Sequence, residues 1–337
     1  MQASNLSGDF LSWTKFPLTI CGAIRTEGAF IQEPRLFSSV PAKQENNFSI
    51  RDEIFSAGII TFNGQVFILH IMTGTPHYSL RYSEKNGYTT IPGKTCGFSA
   101  IDEFGILSLD AGQQYSGETA GRELGLMILS GTGTIRIDTT SYGIGSRSGV
   151  FAGLPQAAYI PPGHTFTITG NPVRAAFCYA KSEKTGQPPR IIRESDVMVT
   201  TSGRDNWSRE TRIVIPPKGY SKNLILGEII VPPGNWSGTP PHKHETDNIP
   251  KESFHEELYY FRMNHPAAWG IQRIYSPERN LNEFIPLKNN SVTLMPFGYH
   301  QVVAGPGYHL YYLFFLAGAG NNVCPFLDPD HSWMLVR

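Results

Sequence analysis

The sequence predicts an all-β protein, two tandem β-barrels of similar topology behind an N-terminal extension. Short β-rich segments recur between turn signals, and helical periodicity is almost absent. Four of these segments then reappear in the same order about 100 residues later, which reads as an internal duplication. The composition agrees: Gly 34, Pro 25, 12% aromatic and 17% charged residues suit a turn-rich β protein and not a coiled coil or a disordered chain. At 337 residues the chain can bury two separate cores.

Residues 1–76 form the extension. Within them "AGIITF-NG-QVFILHI" flanks Asn63-Gly64 with apolar β-formers. That dipeptide favours a type I′ turn, so a β-hairpin is expected, with His70 as a core or edge histidine. Residues 77–184 make the first barrel, carried by "GILSLDAGQQY", "ELGLMILSGTGTIRI", "GVFAGLPQAAYIPPGHTFTI" and "RAAFCYA". The charged, Pro-containing "KSEKTGQPPRIIRESDV" reads as a linker. Residues 185–337 make the second barrel. There "LILGEIIVPPGNWSG" answers "GILSLDAGQQYSG", and "ELYYFRMN" answers "ELGLMILSG". "SVTLMPFGYHQVVAG" answers "QAAYIPPGHTFTITG", and "HLYYLFFLAG" answers "RAAFCYAKS".

Formal charge is +0 and no basic block occurs, so a nucleic-acid or anionic-membrane surface has no electrostatic footprint. No apolar run approaches the ~18–20 residues that span a bilayer. The first residues lack the basic and apolar regions of a signal peptide. Cys21, Cys96, Cys178 and Cys324 form no CxxC pair, so reduced thiols in a cytoplasmic protein are expected. In that setting the Asn-x-Ser sites at Asn5, Asn47, Asn206 and Asn235 are chance matches. Two barrels in series leave strand edges that proteins often cover by pairing, so a homo-oligomer is expected.

The chemistry concentrates in "PPHKHETDNIPKESFHEELYYFR". His242 and His244 are two apart and project from one face of a strand. Imidazole is the commonest ligand of zinc and first-row metals. His300, behind the "MPFGYH" turn, supplies a third ring. The carboxylate comes from Glu245, Glu252, Glu256 or Glu257. Strand alternation selects Glu257, which shares a face with Tyr259 and Phe261. The first barrel has no His-x-His, and aligning Gly163 with Gly298 sets Thr165, not His164, opposite His300, which leaves His164 structural or exposed. By the same alternation Lys243 and Arg262 point away from the metal. Tyr259 is either core packing or an acid/base group. Glu228, a carboxylate inside "LILGEIIV", is either a buried base or a solvated strand residue.

These elements resemble the cupin pattern, in which a G…HxH…E element and a P-G…H element straddle one double-stranded β-helix (jelly-roll) barrel. The longer stretches "NWSRETRIVIPP", "LGEIIVPPGNWSGTPPHKHE", "ESFHEELYYFR", "GIQRIYSPERNLNE", "LMPFGYHQVVAGPGYHLYYLFFLAG" and "DPDHSW" together resemble the 5-deoxy-glucuronate isomerase family of inositol catabolism. That family is a bicupin, related to the 4-deoxy-5-hexosulose-uronate isomerases. The resemblance implies a cytoplasmic, metal-dependent aldose–ketose isomerase converting 5-deoxy-D-glucuronate to 5-dehydro-2-deoxy-D-gluconate. A proton leaves C2 and returns to C1, or a hydride shifts, with the metal as Lewis acid and a proton shuttle beside it. One divalent ion is expected, zinc or manganese first, with iron and nickel compatible. The resemblance also places Arg273 at the substrate carboxylate, with Gln272 and Tyr312 adding hydrogen bonds. Tyr259 and Glu228 are the candidate shuttles, and "DPDHSW" either closes the barrel mouth or touches substrate. A non-enzymatic carbohydrate-binding bicupin, an iron dioxygenase and a 4-deoxy-5-hexosulose-uronate isomerase-like enzyme are the alternatives.

Overall fold

A computed structural model describes residues 57–62, 65–70, 79–82, 85–183 and 186–336, with the main chain alone for those before 79. The expected hairpin is present as antiparallel strands Ala57–Phe62 and Gln65–His70, with Phe62 opposite Gln65. The Asn63-Gly64 turn, the His70 side chain, Cys21, Asn5 and Asn47 lie outside the described residues.

The first barrel is built on one eight-stranded sheet. Strands Gly87–Pro92, Ile101–Leu109, Thr165–Lys181, Arg122–Ile137, Ala157–Ile160 and Arg190–Ile192 lie in that order, and two further strands branch from it. The long strand Thr165–Lys181 shifts register between Gly170 and Val173. Opposite that bulge Gly131 sits at φ +83, where an added Cβ would lie 2.1 Å from the Pro172 carbonyl oxygen. Only glycine fits there, which is how the strand turns the barrel corner. Leu107, Leu124, Leu126, Ile135, Phe166 and Phe177 are among the apolar side chains filling the interior.

The second barrel uses two sheets. The larger runs Met198–Ser202, Arg209–Ile215, Leu224–Val231, Leu310–Gly318, His255–Met263, Ser291–Met295 and Ser79–Arg81. The smaller runs Trp236–Ser237, Tyr299–Ala304, Gly270–Ser276 and Leu281–Leu287. Two short strands are exchanged across the expected boundaries. Ser79–Arg81 pairs with the second barrel, and Arg190–Ile192 pairs with the first.

The barrels pack sheet against sheet. Leu310–Gly318, "LYYLFFLAG", shows why that strand reads as one unbroken apolar run. Its Tyr311, Leu313, Phe315 and Ala317 join Ile106, Met127 and Ala176 of the first barrel, while Leu310, Tyr312, Phe314 and Leu316 fill its own barrel. A strand buried on both faces needs no polar alternation.

Buried charge locks this interface. Glu228 is fully buried and accepts from Arg147 Nη1 and Nη2 at 2.8 and 2.9 Å, and from Arg212 Nη1 at 2.8 Å. Leu224 and Leu226, four and two residues before it, face the same interface. The reading of Glu228 as a catalytic base is therefore corrected: strand alternation turns it away from the barrel interior and into an ion triad with the other barrel.

Candidate metal centre

His242 lies on the short strand His242–Lys243, which pairs with Phe326–Leu327 near the C-terminus. Asp328 N donates to the Pro241 carbonyl at 2.9 Å, so the C-terminal segment straps the histidine strand from outside. Lys243 points the other way, with Nζ 2.7 Å from Glu245 Oε1 and over the Tyr299 ring. It is turned from the histidine cluster and pinned by these contacts.

The two buried rings are oriented through their backs. His244 Nδ1 lies 2.7 Å from the His255 carbonyl oxygen, and His300 Nδ1 3.1 Å from that of Gly298. Each carbonyl fixes the tautomer with its proton on Nδ1, leaving the Nε2 lone pair for a ligand. Gly298, at φ +91, makes the turn that starts the His300 strand.

These nitrogens converge. One ring nitrogen from each of His242, His244 and His300 lies within 4.8 Å of the others. Glu257 Oε2 sits 3.1 Å from His244 Nε2 and 2.9 Å from His300 Nε2. Buried His300 Nε2 nonetheless has no hydrogen-bond partner. An unsatisfied, buried imidazole nitrogen facing a carboxylate is costly unless something else binds it. The residues therefore fit a divalent cation, whose usual donors are imidazole nitrogen and carboxylate oxygen.

The other three carboxylates are occupied elsewhere. Glu245 accepts from Gly298 N, Glu252 from Glu245 N and Thr246 N, and Glu256 from the first barrel. Burial alone would raise the Glu257 pKa, but the imidazoles of His244 and His300 hold it well below the usual carboxylate range. Burial, with the neighbouring imidazoles, pushes His242 down to about 3, so at neutral pH it is the neutral ring a metal requires. For His244, burial is outweighed by its hydrogen bond and charge contact with Glu257, and its pKa rises.

Tyr259 extends the site. Its ring is 5.9 Å from that of His300 and 4.4 Å from that of Tyr312. Burial first, then the Glu257 charge, raises its pKa well above the ordinary value. The Tyr312 hydroxyl lies 2.6 Å from Ser237 Oγ. Gln272 is fully buried, donates Nε2 to Met295 Sδ at 2.8 Å, and has an Oε1 without a partner.

Arg273 requires a correction. His300 pairs with Ile274, and Val302 with Gln272. Directly paired residues share a face, so Gln272 and Ile274 point inward with His300 while Arg273 points out. Its guanidinium stacks 4.0 Å from the Tyr275 ring, and Nε donates to Asn282 Oδ1. In "DPDHSW" Asp328 accepts from the Tyr275 hydroxyl on this outer face, and Trp333 is exposed.

Ser237 and Arg209 border the site and were passed over in the sequence. Ser237 belongs to a two-residue strand too short for any periodicity signal. Arg209 was legible by parity, because Glu210 and Arg212 go to the interface and Arg209, Thr211 and Ile213 to the opposite face.

The sequence model of the KduI/IolB family matches residues 79–334. A Geobacillus kaustophilus protein named 5-deoxy-glucuronate isomerase is 34% identical over 256 residues, covering 75% of this chain and 92% of its own length. Its Bacillus subtilis namesake is 35% identical over 239 residues, covering 70% and 88%. Among solved structures, an IolB-like protein from Salmonella typhimurium aligns at TM-score 0.73 and 26% identity, covering 76% of this chain and 98% of that one. Lactobacillus farciminis oxalate decarboxylase, at TM-score 0.55 and 9% identity, covers 80% and 92% and shares the fold alone.

Proposed function

The chain belongs to the KduI/IolB family and folds as an all-β bicupin, and we propose that it is a metal-dependent aldose–ketose isomerase converting 5-deoxy-D-glucuronate to 5-dehydro-2-deoxy-D-gluconate in inositol catabolism. The convergence of three imidazoles and one carboxylate in the second barrel carries this reading, in a chain whose curated relatives are named for that activity.

His242, His244, Glu257 and His300 hold one divalent ion, zinc or manganese by donor preference, with iron and nickel sharing much of it. Such an ion supplies Lewis acidity toward the aldehyde and its neighbouring hydroxyl. The protein does the rest. Tyr259, raised in pKa by burial and by Glu257, stays a protonated phenol and is the group placed to donate a proton to a developing oxyanion. The Tyr312 ring packs against that of Tyr259 and its hydroxyl bonds Ser237, and the unpaired Gln272 Oε1 accepts from a substrate hydroxyl.

The proposed division is an N-terminal extension, a first barrel without metal and a catalytic second barrel. Among the described residues no helix is long and apolar enough to cross a membrane. The unpaired Cys96, Cys178 and Cys324 suit a reducing cytoplasm. Phe284, exposed on the edge strand Leu281–Leu287, suits a homo-oligomer.

The test is turnover of 5-deoxy-D-glucuronate by metal-loaded protein in deuterated water, followed by NMR. Loss of the aldehyde signal with deuterium entering the product's CH2OH group, the former aldehyde carbon, is the expected outcome. Fully loaded protein that leaves the aldehyde intact would overturn the proposal.

A further inference from the structure

With Arg273 on the outer face, the carboxylate of a sugar acid needs another partner. Arg209 opens the strand Arg209–Ile215, where alternation sends Glu210 and Arg212 toward Glu228 and the interface. Arg209 therefore takes the opposite face with Ile213, which packs against the interior of the second barrel. Its Nη1 donates to the Trp207 carbonyl at 3.2 Å, anchoring one edge of the guanidinium. Its Nε is buried and has no hydrogen-bond partner, and among the described residues no carboxylate pairs with it.

The fold makes room for this group. Gly203 has φ +76, and a Cβ added there would lie 2.7 Å from Arg209 Nη1 and 2.3 Å from the Trp207 oxygen. Trp207 belongs to the turn Asp205–Trp207, against which the Ser237 strand packs, and Ser237 contacts the Tyr312 hydroxyl. Burial pushes the Tyr312 hydroxyl up to about 12, and the charge of Arg209 pulls it back. A guanidinium whose buried Nε has no partner is costly to leave so and is well suited to an anionic oxygen pair.

We propose that Arg209 binds the carboxylate of the sugar-acid substrate and sets the preference for acids over neutral sugars. This rests on the isomerase reading for the identity of the substrate, not for the acid preference itself. A six-carbon chain spans roughly 6 Å from C1 to C6 at ~1.5 Å per bond with tetrahedral angles, which separates its two binding ends. The aldehyde end meets the imidazole cluster, and the acid end meets Arg209 beyond Tyr259 and Tyr312.

The test compares binding of D-glucuronate and D-glucose by calorimetry, in the wild-type chain and in Arg209→Met and Arg209→Lys, alongside elemental analysis and thermal unfolding. The wild type should prefer the acid, and Arg209→Met should weaken acid binding about 10- to 100-fold. Glucose binding and metal content should stay unchanged, while Arg209→Lys restores part of the preference. An acid preference that survives in folded Arg209→Met, or a wild type indifferent to the acid, overturns the assignment. Failure of the isomerase reading looks different: acid preference intact, with no turnover of 5-deoxy-D-glucuronate.

Discussion

The two barrels share topology and a turn glycine of equal conformation, Gly163 and Gly298 both at φ +91, yet among the described residues only the second gathers a histidine cluster. The register of equivalent strands shows where they part. Glu123 lies opposite Ala180 in the first barrel and Glu256 opposite Ala317 in the second, with each alanine in the interface core. Glu123 is thus the counterpart of Glu256, one residue off the match that "ELGLMILSG" and "ELYYFRMN" suggest. The interior position that holds Glu257 is Leu124 in the first barrel, packed among aliphatic side chains.

The paired glutamates have a reciprocal structural job. Glu256 accepts from Ser99 N, Ser99 Oγ, Ala100 N and Ile101 N of the first barrel, at 2.6 to 3.0 Å. Glu123 accepts from Lys222 N and Asn223 N of the second, and from Tyr159 within its own barrel. Each barrel reaches a buried carboxylate into a bend of its neighbour. The latch is therefore present on both sides and, among the described residues, the imidazole cluster on one. In the first barrel Phe166 and Ile168 fill the interior and Thr165 is exposed, so the alternation after Gly163 runs one residue later than the glycine match implies. His164 sits near the surface, 2.7 Å from Asp138.

Four measurements can break or sharpen this comparison. Largest is His242→Ala, which should lower metal content and turnover by more than about 100-fold, because even residues behind metal ligands cost 10–100-fold. Elemental analysis with the NMR assay checks it. Arg147→Met strips a buried partner from Glu228 and should cost about 3–5 kcal/mol in denaturant unfolding. Much of that should return in Arg147→Met/Glu228→Leu, which removes both charges. Glu256→Ala and Glu123→Ala should each cost ~2–3 kcal/mol from lost charged hydrogen bonds. Glu256, with more donors from the opposite barrel, should cost the more; equal or negligible losses would undo the latch. Smallest is His164→Ala, expected within about 0.5 kcal/mol of wild type with metal content unaltered. A fall in metal there would mean that the first barrel holds a site too.

Much of the site was legible because period-2 alternation is a local rule. It set His242 and His244 on one face, chose Glu257 over Glu256, and turned Lys243 outward without any knowledge of the fold. It failed where a face alone does not say what lies across it. Glu228 was known to sit in an apolar strand, but its partners Arg147 and Arg212 come from another barrel and another strand. Arg273 was assigned by resemblance, and its pairing with Gln301 beside the inward His300–Ile274 pair overrules that.

Local pattern by itself determined the all-β class, the duplication and the metal-donor types, since strand periodicity and turn chemistry act over a few residues. Tertiary structure alone decided which buried charges serve chemistry and which serve docking. A carboxylate's role depends on what the opposing surface offers it: imidazole nitrogens for Glu257, guanidinium groups for Glu228, and backbone N–H groups for Glu256. Those partners arrive from distant stretches of chain, brought together only when the sheets close and pack.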